Sequence, residues 1–126
     1  MTVTVLVADD DEDILLLVTT RLRRDGFEIV QARDGDAALA LAKERKPAVA
    51  VLDIGMPGLD GLAVLHAIRE DPELSGTRVL LLTAKAQEQD VRRGYDSGAD
   101  AYIKKPFSPI ELSSAVSRLA ADHADL

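Results

Sequence analysis

The chain has no cysteine, no tryptophan, and only two Phe and two Tyr. Without thiols it can form no disulfide and offer no thiolate nucleophile, so a reducing, cytoplasmic setting is the default expectation. It also lacks any stretch near the roughly 18 consecutive apolar residues of a membrane helix, and no charged-then-apolar leader is read at its start. Positive charge is in short supply: 15 Lys and Arg face 22 Asp and Glu, a formal charge of −7. That balance argues against direct nucleic-acid binding, which needs a basic face, and weakly favours cations or basic partners. Neither an internal repeat nor a low-complexity segment is present. What remains is one domain of 126 residues, 47% hydrophobic and 29% charged, large enough for a real core.

The most informative stretch is Ala48-Val49-Ala50-Val51-Leu52-Asp53, followed at once by the turn residues Ile54-Gly55-Met56-Pro57-Gly58. An uninterrupted, Val-containing apolar run between breakers predicts a strand buried on both faces. Ligands of open α/β sheets collect at the carboxyl ends of strands. Asp53 is therefore placed where such a fold works, and a carboxylate there costs free energy unless something compensates it.

Four more strands are expected, at Val3–Ala8, Phe27–Ala32, Val79–Thr83 and Ala99–Ile103. Asp11 to Asp13 read as a helix cap and acidic first turn, with Ile14, Leu17, Val18 and Leu22 as the buried stripe and Gly26 as the stop. Arg21, Arg23 and Arg24 crowd that helix's last turn, where cations suit the dipole. Asp34 is expected to cap a helix to about Arg45, with Ala37, Ala38, Leu41 and Ala42 inward. Asp60 is expected to cap one carrying Leu62, Leu65 and Ile68. A helix over about 87–97 has only Val91 and Tyr95 as large apolar residues, so weak docking is expected there. The last helix opens with Ser108 as cap, Pro109 in the first turn, Glu111 closing a capping box and Phe107 stapling to Leu112. Its buried stripe is Leu112, Ala115, Val116 and Leu119, and fraying is expected from Ala120. Gly55, Gly58 and Gly61 match neither a dinucleotide fingerprint nor a P-loop and read as turn glycines. Five β-α units with right-handed crossovers define a doubly wound, flavodoxin-like α/β fold: a five-stranded parallel sheet with helices on both faces.

The ends of the strands carry the chemistry. The first gives Asp9 and Asp10, the third Asp53, the fourth Thr83 and the fifth Lys105. Three converging carboxylates repel one another, so at least one pKa should rise. A hard divalent cation relieves that strain, and magnesium suits a site of one or two carboxylates completed by waters and phosphate oxygens. With Lys105 as a fixed charge and Thr83 as a donor, an Asp nucleophile here describes an acceptor for a phosphoryl group. His66 and His123 show no zinc spacing.

These motifs resemble the receiver domain of two-component response regulators. Those that carry the likeness are Val7-Ala8-Asp9-Asp10-Asp11, Leu52-Asp53 through Gly61, Leu82-Thr83-Ala84, Gly98-Ala99-Asp100-Ala101-Tyr102 and Lys105-Pro106-Phe107. The resemblance implies the strand order 2-1-3-4-5. It implies that Asp53 accepts a phosphoryl group from a sensor histidine kinase or phosphotransfer protein. Asp10, Asp53 and the Gly55 backbone carbonyl would bind magnesium (manganese substituting), with Asp9 acting largely through a metal-bound water. Thr83 and Lys105 would hold the phosphoryl group, Lys105 rather than Lys104 because Pro106 adjoins it, and the Lys105–Pro106 bond is often cis in similar proteins. Thr83 and Tyr102 would form the switch. A receiver spanning residues 1–121, a frayed tail over 122–126 and no output domain within this chain are expected. The resemblance further allows a phosphorylation-dependent dimer and a separate downstream target.

Two departures from the family pattern bear on lifetime. Gly55 stands where many relatives carry a polar side chain, and Lys85 lies two residues past Thr83, so hydrolysis of the phosphorylated form is expected to be slow. Ala101 departs from the Asp-Asp-Tyr run of the winged-helix transcription-factor branch, a slight hint against that branch. Two other readings compete. A degenerate receiver acting only as a binding module would not need so complete a charge cluster. An aspartate-nucleophile phosphohydrolase of the dehalogenase class needs a second Asp at the position of Gly55, and lacks it here.

Overall fold

The computed structural model describes residues 2–84 and 98–124, with side chains to 122. Lys85 and the helix expected over 87–97 lie outside the described residues, as does the His123 side chain. The chain alternates β1 (Thr4–Ala8), α1 (Glu12–Arg24), β2 (Glu28–Ala32), α2 (Gly35–Arg45), β3 (Val49–Asp53), α3 (Gly61–Glu70), a 3-10 turn (Pro72–Leu74), β4 (Arg78–Thr83), β5 (Ala101–Lys104) and α4 (Pro109–Ala124). The five strands form one parallel sheet in the order β2-β1-β3-β4-β5. This is the expected doubly wound topology.

Strand alternation divides the interior into two aliphatic cores. Val5, Val7, Val49, Val51, Leu80 and Leu82 pack with Leu15, Val18 and Leu22 of α1 and Leu112, Val116 and Leu119 of α4. On the other face, Leu6, Ala8, Ala50, Leu52, Val79 and Leu81 meet Ala38 and Ala42 of α2 and Val64, Leu65 and Ile68 of α3. Each fully buried Leu, Ile or Val contributes roughly 1.5–3 kcal/mol over leaving it in water. The small Ala38 and Ala42 bring α2 close to the sheet.

The caps form as expected. Asp11 accepts from the N–H groups of Asp13 and Ile14, Asp34 from Ala37, Asp60 from Ala63, and Ser108 Oγ from Glu111. At the end of α1, Gly26 takes φ +98°, and the Phe27 N–H reaches back to the Leu22 carbonyl at 3.1 Å, a left-handed stop that favours glycine.

Four expectations are corrected. Leu17 is not in the core but 46% exposed, and Leu15 is buried in its place. The two are roughly 200° apart around the helix, so both cannot face the sheet. Gly61 is more than a turn residue. Its α-carbon lies against the Asp53 backbone, where a Cβ would strike the Asp53 carbonyl. The last helix does not fray at Ala120 but runs to Ala124, because Ala120 still packs in the core. Finally, β5 begins at Ala101, not Ala99, since the Asp100 carboxylate accepts the Val79 N–H that a preceding strand residue would have taken.

Candidate functional site

Four loops at the carboxyl edge of the sheet converge on one crevice. Directly after β1 comes Asp9, completely buried, whose N–H donates to the Ala32 carbonyl and whose Oδ1 accepts from the Asp11 N–H at 2.9 Å. β3 ends in Asp53, 6% exposed, and the Ile54 N–H just beyond it donates to the Leu82 carbonyl. α3 starts against the backbone of Asp53 because Gly61 carries no side chain. β4 ends in Thr83, also buried. Its carbonyl accepts the Lys105 N–H at 2.7 Å, bringing the loop after β5 over the end of β4.

Lys105 closes the crevice. Its Nζ donates to Asp9 Oδ2 and to Asp53 Oδ1, both at 3.0 Å. One ammonium therefore serves two buried carboxylates. Asp10, exposed at the rim, brings a third carboxylate, so that ligand oxygens of Asp9, Asp10 and Asp53 all lie within 4.8 Å of one another. Lys104 is exposed, and the Lys105–Pro106 peptide is cis.

The electrostatics follow from that geometry. Burial raises the Asp53 carboxyl above its ordinary value, and the nearby Asp9 charge adds to the rise. The Lys105 hydrogen bond and charge, and the Gly55 backbone N–H, oppose it without cancelling it. For Lys105, burial pulls its pKa down, but its bonds to Asp9 and Asp53 and their charges outweigh that and leave it raised. The crevice holds an excess of negative charge on hard oxygen donors, a set that suits a small divalent cation better than a soft metal.

The sequence-predicted residues thus separate into groups. Asp9, Asp10, Asp53 and Lys105 stand together, and Thr83 is tied to Lys105 through the backbone. Tyr102 sits one strand over in β5, paired with Leu81 and packed on the α2–α3 core. Gly55 is exposed, and among the described residues a Cβ there would meet one heavy atom beyond its chain neighbours, Asp53 Oδ2, at 3.8 Å. Beside Lys105, an apolar cleft is lined by Ile14, Leu17, Ala84, Pro106 and Phe107. Leu16 and Ile110, each 66% exposed, extend the apolar surface beyond it.

Sequence reasoning missed a second charged network at the opposite, amino end of β4. Arg69 donates to the Gly98 carbonyl (2.9 Å), the Thr77 carbonyl (2.6 Å) and Asp100 Oδ2 (2.7 Å). Asp100 also accepts from the Val79 N–H at 2.8 Å and from Arg78 at 3.3 Å. The one signal was the Gly98-Ala99-Asp100 motif, which had no role assigned to it. Nothing in the local pattern around Arg69 singles it out.

An acid cluster and a lysine at the carboxyl edge of a doubly wound parallel sheet stand where this class of α/β domain keeps its ligand site. The comparisons make the assignment specific. Residues 5–117 match the response regulator receiver domain model. The chain belongs to that family. It is 41% identical over 112 residues to the alkaline phosphatase synthesis transcriptional regulatory protein PhoP of Bacillus subtilis, covering 89% of this chain and 46% of that protein. It is 44% identical over 119 residues to the probable transcriptional regulatory protein TcrX of Mycobacterium tuberculosis, covering 94% and 49%. Its fold matches a CheY-like receiver domain protein of Methanospirillum hungatei with TM-score 0.93 at 25% identity, covering 99% and 98%. The chain thus spans about half the length of the curated relatives it matches. Among the described residues, no helix is long and apolar enough to cross a membrane.

Proposed function

We propose that this chain is a cytoplasmic, phosphorylatable receiver that takes a phosphoryl group onto Asp53. The observation that carries the reading is a buried Asp53 sharing the Lys105 ammonium with Asp9, inside a three-carboxylate cluster that Asp10 completes. An Asp53 oxygen attacks phosphorus, an O–P bond forms, and the P–N bond to the donor's phosphohistidine breaks, returning the electron pair to the imidazole. Lys105 neutralises charge developing on the transferred oxygens. The Thr83 hydroxyl, at the end of β4, donates to one of them. Asp10, Asp53 and the Gly55 carbonyl would hold magnesium, or manganese in its place, with Asp9 acting through a bound water, and the metal would supply charge neutralisation. Attack of water on phosphorus later restores the carboxylate and releases inorganic phosphate, so the chain promotes its own phosphorylation and dephosphorylation.

Thr83 and Tyr102 serve as the switch. Engagement of the Thr83 hydroxyl favours an inward Tyr102 and shifts a pre-existing equilibrium by the difference in interaction free energy between the two states. The apolar cleft beside Lys105, with exposed Leu16 and Leu17 and with Arg21 and Arg24 alongside, suits a partner helix that presents the phosphohistidine. The output is a separate protein target or a segment beyond the matched half. The first test is intact mass after incubation with acetyl phosphate and magnesium. One phosphoryl adduct is expected on the wild type and none on Asp53→Ala or without magnesium. An unmodified wild type would instead favour a degenerate receiver that acts by binding alone.

A further inference from the structure

We propose that Asp100 is a positioning residue for Lys105, acting through the register of β5. The strand is short, and among the described residues it pairs only with β4, in the register Leu80↔Ala101 to Thr83↔Lys104. Its ladder hydrogen bonds, including that from the Lys105 N–H to the Thr83 carbonyl, are made by backbone and do not distinguish one residue from another. The apolar pattern discriminates only in part. Ala101 and Ile103 enter the core shared by α1 and α4, while Tyr102 packs on the opposite one. A one-residue slip would turn each side chain to the wrong face, but a slip of two restores the alternation.

Such a slip displaces the chain by roughly 6.6 Å along the strand, at about 3.3 Å per residue. Lys105 contacts Asp9 and Asp53 at 3.0 Å, so the displacement would remove it from the crevice. Asp100 opposes this slip with carboxylate contacts that Gly98 or Tyr102, the residues a two-residue slip would bring opposite Val79, could not reproduce. Its carboxylate accepts from the Val79 N–H, and its own N–H donates to the Val79 carbonyl, both at 2.8 Å. Arg69 fastens the same carboxylate from α3 and also holds the Gly98 carbonyl at the entry to the strand. Arg78, at the start of β4, adds a longer contact. The start of β5 is thereby fixed to the start of β4, five residues before the lysine that the site requires.

The functional readout rests on the phosphoryl-acceptor reading above; the structural readout does not. Asp100→Ala and Asp100→Asn are made in the full chain, alone and with Lys105→Ala. The primary measurement is the Lys105 ammonium 15N resonance, recorded without any phosphoryl donor. Asp100→Ala is expected to move it toward the exposed lysines, while Asp100→Asn, which keeps an oxygen for the Val79 N–H, returns it most of the way. The second is the initial rate of adduct formation. Asp100→Ala is expected to slow it by about tenfold to a hundredfold, a loss typical of misplaced reacting groups, and to add nothing in the Lys105→Ala background. An unmoved Lys105 resonance, or the same fold-loss with and without Lys105, overturns the proposal. If the wild type forms no adduct, the acceptor reading fails and the resonance alone decides the register. If Asp100→Ala does not fold, Arg69→Gln, which removes the α3 fastening of the same carboxylate, takes its place in both measurements, with Asp100→Asn as the near-wild-type reference.

Discussion

The two ends of strand β4 both carry carboxylates and cations, arranged in opposite ways. At the amino end, one carboxylate, Asp100, meets two guanidinium groups and a backbone N–H, while Arg69 spends its remaining donors on carbonyls. At the carboxyl end, Asp9 and Asp53 compete for one ammonium, and Asp10 adds a third charge. The first network saturates its carboxylate with donors, to the point that Arg78 Nε is buried without a hydrogen-bond partner among the described residues. The second is short of positive charge, and its central carboxyl is held above its ordinary pKa by burial. A carboxylate saturated with donors holds the chain in place, whereas an undersupplied pair stores unfavourable free energy that an incoming cation or phosphoryl group relieves.

Replacing an Asp at each end should separate the two roles. The largest effect is expected at Asp53, where Asn abolishes the phosphoryl adduct, read by intact mass. Next comes Asp100→Ala, which takes the acceptor from Arg78 and the Val79 N–H and one of three acceptors from Arg69, and should cost about 3 kcal/mol in urea unfolding. Magnesium at a hundred times its dissociation constant should stabilise the wild type by about 2.7 kcal/mol. Thermal melts should show Asp10→Asn losing most of that gain, and Asp100→Asn keeping it.

A smaller effect has the opposite sign. A carboxyl whose folded pKa is raised stabilises fully below its unfolded value of 3.8, and that contribution is lost as pH rises through the folded pKa. Metal-free Asp53→Asn should therefore melt above the wild type at pH 7, with the gap closing as pH falls toward 3.8. Lys105, also raised, contributes throughout the neutral range and loses its contribution only above 10.5. An Asp53→Asn chain that is less stable at neutral pH would show that Asp53 is as well supplied with donors as Asp100. The smallest change concerns lifetime. Gly55 puts no side chain beside Asp53 Oδ2, which a Cβ there would meet at 3.8 Å, so the wild-type phosphoryl group should persist for minutes or longer, and Gly55→Asn should shorten that time. A half-life of seconds in the purified wild type would contradict it.

Much of the carboxyl edge was legible because strand ends announce themselves. An uninterrupted aliphatic run ending in Asp53 fixes both a buried strand and the position of its terminal carboxylate. The helix caps at Asp11, Asp34, Asp60 and Ser108 were readable for the same local reason, since a cap is decided within three residues. Leu17 was misplaced because the cluster Ile14 to Val18 offers more than one apolar stripe, and only contact with the sheet chooses among them.

The sequence by itself determined the order of elements, the two-sided burial of the sheet and the set of polar residues at its carboxyl edge, because these follow from short-range patterning and right-handed crossovers. Only the tertiary structure decided that one ammonium bridges Asp9 and Asp53, that Gly61 lies against the Asp53 backbone, and that Arg69 fastens Asp100 from α3. Those contacts join residues far apart in the chain. No local pattern encodes them, because they form only when the sheet and its helices are packed together.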